Sequence, residues 1–186
     1  MNNKTNLLRV ENLKMYFPLR KGLLQRTYAH VKAVDDVSFS VDEGETFGIV
    51  GESGCGKTTT ARCILRIYKP TSGSIYYRGH DISKLTDREL LPYRREIQLI
   101  FQDPSGSLDP RQSVFSIVAE AVSEGRTSRL SKGELKDRVD ELLTTVELDP
   151  ALGDRYPHEM SGGQRQRLGI ARALACNPKL IVCDEP

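Results

Sequence analysis

The sequence predicts an α/β fold with a helical insert, and three observations predict it. The short apolar runs TFGIV, IQLIF and LIVC have the length and composition of buried strands. The first leads through a glycine-rich turn into GKTTTARCILRI, where apolar residues take up helical spacing. From about Pro104 to Tyr156 the chain is helical in character, before a last apolar run returns. A length of 186 residues, 38% of them hydrophobic, is enough for one domain with a real core.

The elements follow in order. VKAVDDVSFSVDEGE alternates apolar and polar residues and ends in turn formers, the pattern of a strand that runs into a loop. TFGIV follows as a buried strand, and GKTTTARCILRI as a helix. SGSIYYRG is a short strand between turns, and IQLIF a second buried strand. SVFSIVAEAV and GELKDRVDELLTTVEL are helices. In the second, Leu135, Val139, Leu142, Leu143 and Val146 share one face. A helix starts near Ser161, and KLIVCDEP supplies a final buried strand.

Bulk properties exclude several classes. With 27 basic and 25 acidic side chains, the net charge of +2 gives no argument for a nucleic-acid partner. No apolar run is long enough to span a bilayer, and the opening MNNKTNLLRVENLKMYF has no signal-peptide pattern. Cys55, Cys63, Cys176 and Cys183 fit no zinc spacing and are expected to be small core residues in a reducing compartment. The expected setting is cytoplasmic.

GESGCGKTT, Gly51 to Thr59, matches G-x-x-x-x-G-K-[ST] between a predicted strand and a predicted helix. A backbone with little side-chain bulk wraps closely around phosphate oxygens, and its N–H groups sit at the positive end of the helix. Gly51, Glu52, Ser53, Gly54, Cys55, Gly56, Lys57, Thr58 and Thr59 form this candidate cradle. Lys57 supplies a point charge for β- and γ-phosphates, and the Thr58 hydroxyl a ligand for Mg²⁺. At the other end of the chain, KLIVCDEP puts Asp184 and Glu185 at the C-terminal end of an apolar strand, the edge where open α/β sheets bind ligands. Asp184 is placed to hold Mg²⁺ through water, and Glu185 to polarise an attacking water. Gln102 directly follows IQLIF, within reach of the metal or that water, and begins a turn-rich loop into the helical insert. MSGGQRQR is the fourth motif. Taken alone, Ser161 is a plain helix N-cap.

Together GESGCGKT, FQDP, MSGGQRQR and LIVCDEP resemble the Walker A loop, Q-loop, signature and Walker B strand of ABC transporter ATPases, in that family's order. The resemblance covers essentially the whole chain. It implies a P-loop NTPase fold with an N-terminal antiparallel β subdomain. About 1–102 and 157–186 would form that subdomain and the nucleotide-binding core, and about 103–156 the helical subdomain. It implies ATP and Mg²⁺ as ligands, with Thr58, Gln102 and Asp184 around the metal and Glu185 and Gln102 as catalytic residues. Two subunits would pair head to tail, so that Ser161, Gly162, Gly163 and Gln164 of one face the γ-phosphate held by the other. Met160 stands where leucine is commoner, a mild apolar exchange. His158 is not the family's switch histidine, which lies beyond Walker B.

FQDPSGSLDPR, RYPHEMSGGQRQRLGIARAL and the long opening LKMYFPLRKGLLQRTYAHVKAVDDVSF are similar to the subfamily that energises dipeptide and oligopeptide uptake, with nickel uptake systems close by. The opening resembles the second of its two ATPases. The implied partners are a second ATPase subunit, two transmembrane permease subunits and an extracytoplasmic solute-binding protein, on the inner face of the cell membrane. Spacing from Asn12 favours Phe17 over Tyr16 as the aromatic that stacks on adenine. The alternative class, an ATPase working on DNA or ribosomes, should carry a coiled coil, a zinc insert or tandem cassettes, and none is visible in the sequence. The chain stops at Pro186, before the switch histidine and a strand that normally lies between the Walker A and Walker B strands. A fragment with an incomplete parallel core sheet is therefore expected, inactive by itself.

Overall fold

The computed structural model describes residues 6–22, 25–102, 106–126 and 128–185. The chain divides into two compact units, Met1–Leu90 and Leu91–Pro186.

The first unit is built on an antiparallel sheet. Strands β1 (Asn6–Lys21) and β2 (Arg26–Asp42) form a long hairpin, and β3 (Ser72–Tyr77) and β4 (His80–Asp81) add to it in the order β2-β1-β3-β4. Alternation buries Leu8, Val10 and Leu13 of β1 with Ile75 and Tyr77 of β3. β3 covers β1 only as far as Lys14, so beyond that point β1 and β2 continue as a two-stranded ribbon. The register slips between Met15↔Val34 and Tyr16↔Lys32, which makes Ala33 the extra residue of a bulge. Helix α1 (Lys57–Ile64) rises from the glycine-rich turn, as its spacing predicts.

The stretch 46–50 does not form the predicted buried strand. It is irregular and exposed, with Val50 93% accessible and Phe47 stacked on Phe39 at 5.0 Å. A strand needs a neighbour to satisfy its backbone, and none of the described residues pairs with 46–50.

The second unit carries the helical insert. Helix α2 (Asp87–Glu96) runs into it, β5 (Ile97–Ile100) pairs in parallel with β6 (Leu180–Cys183), and α3 (Val114–Glu124), α4 (Lys132–Thr145) and α5 (Gly162–Ala175) lie between. Val118, Val122, Val139, Leu143 and Leu168 form the centre of the helical core. The predicted face of α4 is the one buried: Val139, Leu142 and Leu143 are inside, and Leu135 and Val146 pack at its margin. The insert's expected start near Pro104 lies outside the described residues.

Two further expectations are corrected. β6 is not a buried strand, because Ile181 and Cys183 are exposed while only Leu180 and Val182 are half-covered by their packing. The cysteines are not uniformly core residues either. Cys55 and Cys183 are exposed, whereas burial raises the Cys63 thiol to about 11 and pushes Cys176 upward.

Candidate nucleotide site

Each unit holds part of the predicted machinery. In the first, Gly51 to Cys55 form an exposed loop closed by a turn, with the Cys55 N–H donating to the Glu52 carbonyl at 3.2 Å. Gly56 is the N-cap of α1, with φ 99° and no side-chain cap. Only glycine fits there. The left-handed φ disfavours a side chain, and a Cβ would stand 2.2 Å from the carbonyl oxygen of Ala33 at the β2 bulge. Among the described residues, the N–H groups of Ser53, Gly54 and Gly56 donate to no protein acceptor. They are available to an anion at a helix N-terminus. The Lys57 ammonium folds back over the loop and donates to the carbonyls of Gly51 and Glu52, at 2.8 and 3.0 Å. Thr58 and Thr59 occupy the first turn, half-buried.

The two candidate aromatics on β1 lie in different surroundings. Phe17 is half-buried opposite Val31 and meets Tyr68 edge-on at 5.4 Å. The Tyr16 hydroxyl donates to Asp35, and the Lys32 ammonium lies 5.3 Å from the Tyr16 ring and 3.1 Å from Asp35. The Tyr16 hydroxyl first, then Lys32, holds the Asp35 carboxyl below the usual range. Sequence spacing had no signal for this cluster, which depends on cross-strand register, nor for the Ala33 carbonyl as the wall behind Gly56.

In the second unit, parallel pairing of β5 and β6 brings Gln102 and Glu185 together. The Gln102 amide donates to the Glu185 carboxylate at 2.7 Å, across 83 positions of sequence. The Asp184 N–H donates to the Ile100 carbonyl at 3.0 Å and continues the ladder past the end of β6. Glu185 then turns out of the strand with φ 49°.

Ser161, Gly162, Gly163 and Gln164 form the start of α5. Ser161 accepts the Gln164 N–H at 3.2 Å, and the Gln164 side chain accepts the Ser161 N–H at 2.9 Å, a capping box. The plain capping role of Ser161 is therefore real. The hydroxyl proton, however, goes to no acceptor among the described residues. An added Cβ at Gly162 or Gly163 would meet nothing within 4 Å, so the chain's own packing does not require them to be glycine.

The candidate Mg²⁺ donors are a hydroxyl, an amide oxygen and a carboxylate. An all-oxygen set with few protein ligands suits an ion that keeps waters and phosphate oxygens around it. Among the described residues, no three His, Cys, Asp or Glu side chains cluster as an all-protein metal site. No helix is long and apolar enough to cross a membrane.

Comparisons with known proteins identify the family. Residues 34–186 match the ABC transporter family. The chain is 51% identical over 185 residues to the oligopeptide transport ATP-binding protein AppF of Bacillus subtilis, which covers 99% of this chain and 56% of AppF. It is 48% identical to OppF of the same organism, over 97% of this chain and 57% of OppF. The chain thus spans little more than half of these curated relatives. Among solved structures, the ATP-binding cassette MJ0796, in a dimeric post-hydrolysis state bound to ADP and Pi, superposes with a TM-score of 0.84 at 30% identity, covering 95% of this chain and 73% of the other. The fold is that of an ABC ATPase cassette, and the chain belongs to the ABC transporter family.

Proposed function

We propose that this chain is the ATP-binding and ATP-hydrolysing part of a subunit that powers an ABC importer of dipeptides or oligopeptides. The observation that carries the reading is the open phosphate cradle: the N–H groups of Ser53, Gly54 and Gly56, ahead of α1, meet no acceptor among the described residues, and Lys57 reaches back across the loop. The relatives' names, oligopeptide transport ATP-binding proteins, support the substrate class.

In this reading Gly51 to Thr59 bind the phosphates, and Phe17 stacks on the base. Lys57 exchanges two carbonyls for phosphate oxygens. Thr58, Asp184 and Gln102 would hold Mg²⁺, which when bound would neutralise developing charge on the phosphates. Glu185 orients and deprotonates the attacking water, and the Gln102 amide on its carboxylate sets its direction. Residues of about 103–156 act as the helical subdomain that passes the motion on, and the rest as β subdomain and core. Ser161 donates its uncommitted hydroxyl proton to the γ-phosphate held by a second ATPase subunit. Two permease subunits and an extracytoplasmic solute-binding protein complete the system, with this chain on the inner face of the membrane.

Glu185→Gln tests the reading. ATP binding should persist while hydrolysis falls roughly 10²–10⁴-fold, the worth of a general base. Near-normal turnover would remove Glu185 from that role. Lys57→Ala should lose phosphate affinity, and unchanged ATP binding would sink the cradle.

A further inference from the structure

We propose that the outer half of the β1–β2 ribbon is an electrostatic contact for an anionic lipid surface. This is independent of the nucleotide reading, since no residue of the ribbon beyond Phe17 enters it.

The ribbon has an unusual charge pattern. Between Glu11 and Asp35 the sequence contains no acidic residue, yet it contains Lys14, Arg20, Lys21, Arg26 and Lys32. Lys14 and Lys32 have carboxylates nearby, on Asp36 and Asp35. Arg20, Lys21 and Arg26 have none among the described residues, and all three are exposed. Lys21 and Arg26 are direct cross-strand partners. Like charges opposite one another destabilise a strand pair, and none of the described residues of the ribbon offsets them. A local rule broken without internal compensation points to an outside partner.

The apolar residues agree. Phe17 pairs with Val31 and Leu19 with Ala29, so one face of the ribbon is apolar up to the Lys21–Arg26 pair. Leu19, Val31 and Tyr28 remain 38%, 47% and 65% accessible. β2 is an edge strand of its sheet, and edges are often guarded by charge. Guarding alone gives no reason to place two cations directly opposite each other, as Lys21 and Arg26 are. Cations of a single sign beside exposed apolar and aromatic side chains fit a surface of anionic headgroups over hydrocarbon.

The test is co-sedimentation of the purified chain, without nucleotide, with phosphatidylcholine vesicles that contain or lack phosphatidylglycerol. Binding should require phosphatidylglycerol and weaken with salt. Replacing Arg20→Glu, Lys21→Glu and Arg26→Glu together should reduce partitioning by about 100-fold or more, and Arg20→Lys with Arg26→Lys should preserve it. Lys21→Glu alone separates lipid contact from folding. It turns a like-charge pair into an opposite one, so the ribbon gains stability while lipid binding falls about tenfold or more. Undiminished binding by Lys21→Glu and the triple variant, or equal binding to neutral vesicles, would overturn the proposal. So would capture by polyglutamate without any binding to phosphatidylglycerol, which would assign the surface to an acidic protein segment.

Discussion

Helix α4 begins at Ser131 with Glu134 three residues on, and helix α5 begins at Ser161 with Gln164 at the same offset. Both close a capping box, and both carry glycine in the first turn that their own packing does not need. In α4 the Glu134 carboxylate accepts the Ser131 N–H at 2.8 Å and the Ser131 hydroxyl at 2.7 Å, so the serine's proton is used. Thr86 and Glu89 repeat this at α2, at 2.8 and 2.7 Å. In α5 the neutral Gln164 takes only the N–H. The difference is one atom of chemistry. A carboxylate closes and charges a helix start, whereas an amide caps it and leaves a hydroxyl donor and no negative charge. α4 begins as a helix needs to, and α5 begins in the way the proposed function requires of a helix that also meets an anion.

A third start, that of α1, marks the limit of the series, with no side-chain cap at all. Gly56→Val should have the largest effect. The left-handed φ costs about 1–3 kcal/mol and the Cβ displaces Ala33, so nucleotide titration should show binding essentially lost; retained affinity would mean the loop tolerates a different backbone. Gln164→Glu comes next. Like charges juxtaposed across an interface cost several kcal/mol, so ATP-dependent pairing of subunits, followed by light scattering, should weaken about 100-fold while the melting temperature holds or rises. Ser131→Ala and Ser161→Ala should each cost about 1 kcal/mol in urea unfolding, but only the second should also slow hydrolysis.

The smallest effect is in pH. Glu134 titrates below the usual glutamate range, chiefly because it accepts from the Ser131 hydroxyl and N–H. A carboxyl depressed on folding stabilises above its unfolded value, and the contribution is lost as pH falls through the lower folded one. The exchange protection factor of the Ser131 N–H, which donates to the Glu134 carboxylate, should therefore fall as acid is added through that window, while that of the Ser161 N–H, whose box holds no carboxyl, should persist. Parallel loss at both would erase the contrast.

Where periodicity and a special residue type coincide, the sequence was sufficient. α4 was legible from five apolar positions on one face, and the turn ahead of α1 from its glycine spacing, since Gly54 and Gly56 take positive φ. Helix α2 was not, because Pro92 interrupts its interior and Leu90 is the only residue it buries. The stretch 46–50 has the composition of a strand, but strand formation depends on a partner that composition cannot supply. The Gln102–Glu185 contact follows from β5–β6 pairing, which no local pattern encodes. The reach of the ribbon was hidden because its outer residues are exposed on both faces and show no buried alternation.

The contact between Gly56 and the Ala33 carbonyl has a consequence for what the phosphate loop depends on. The loop's conformation is partly moulded by the β2 bulge, so a peptide spanning only the loop and α1 would lack the wall against which it is shaped. In the folded protein the hairpin supplies that wall. Under the proposed function, nucleotide affinity is thus a gauge of hairpin integrity: damage to the β1–β2 register would show as weaker ATP binding, in a protein whose helices still look intact.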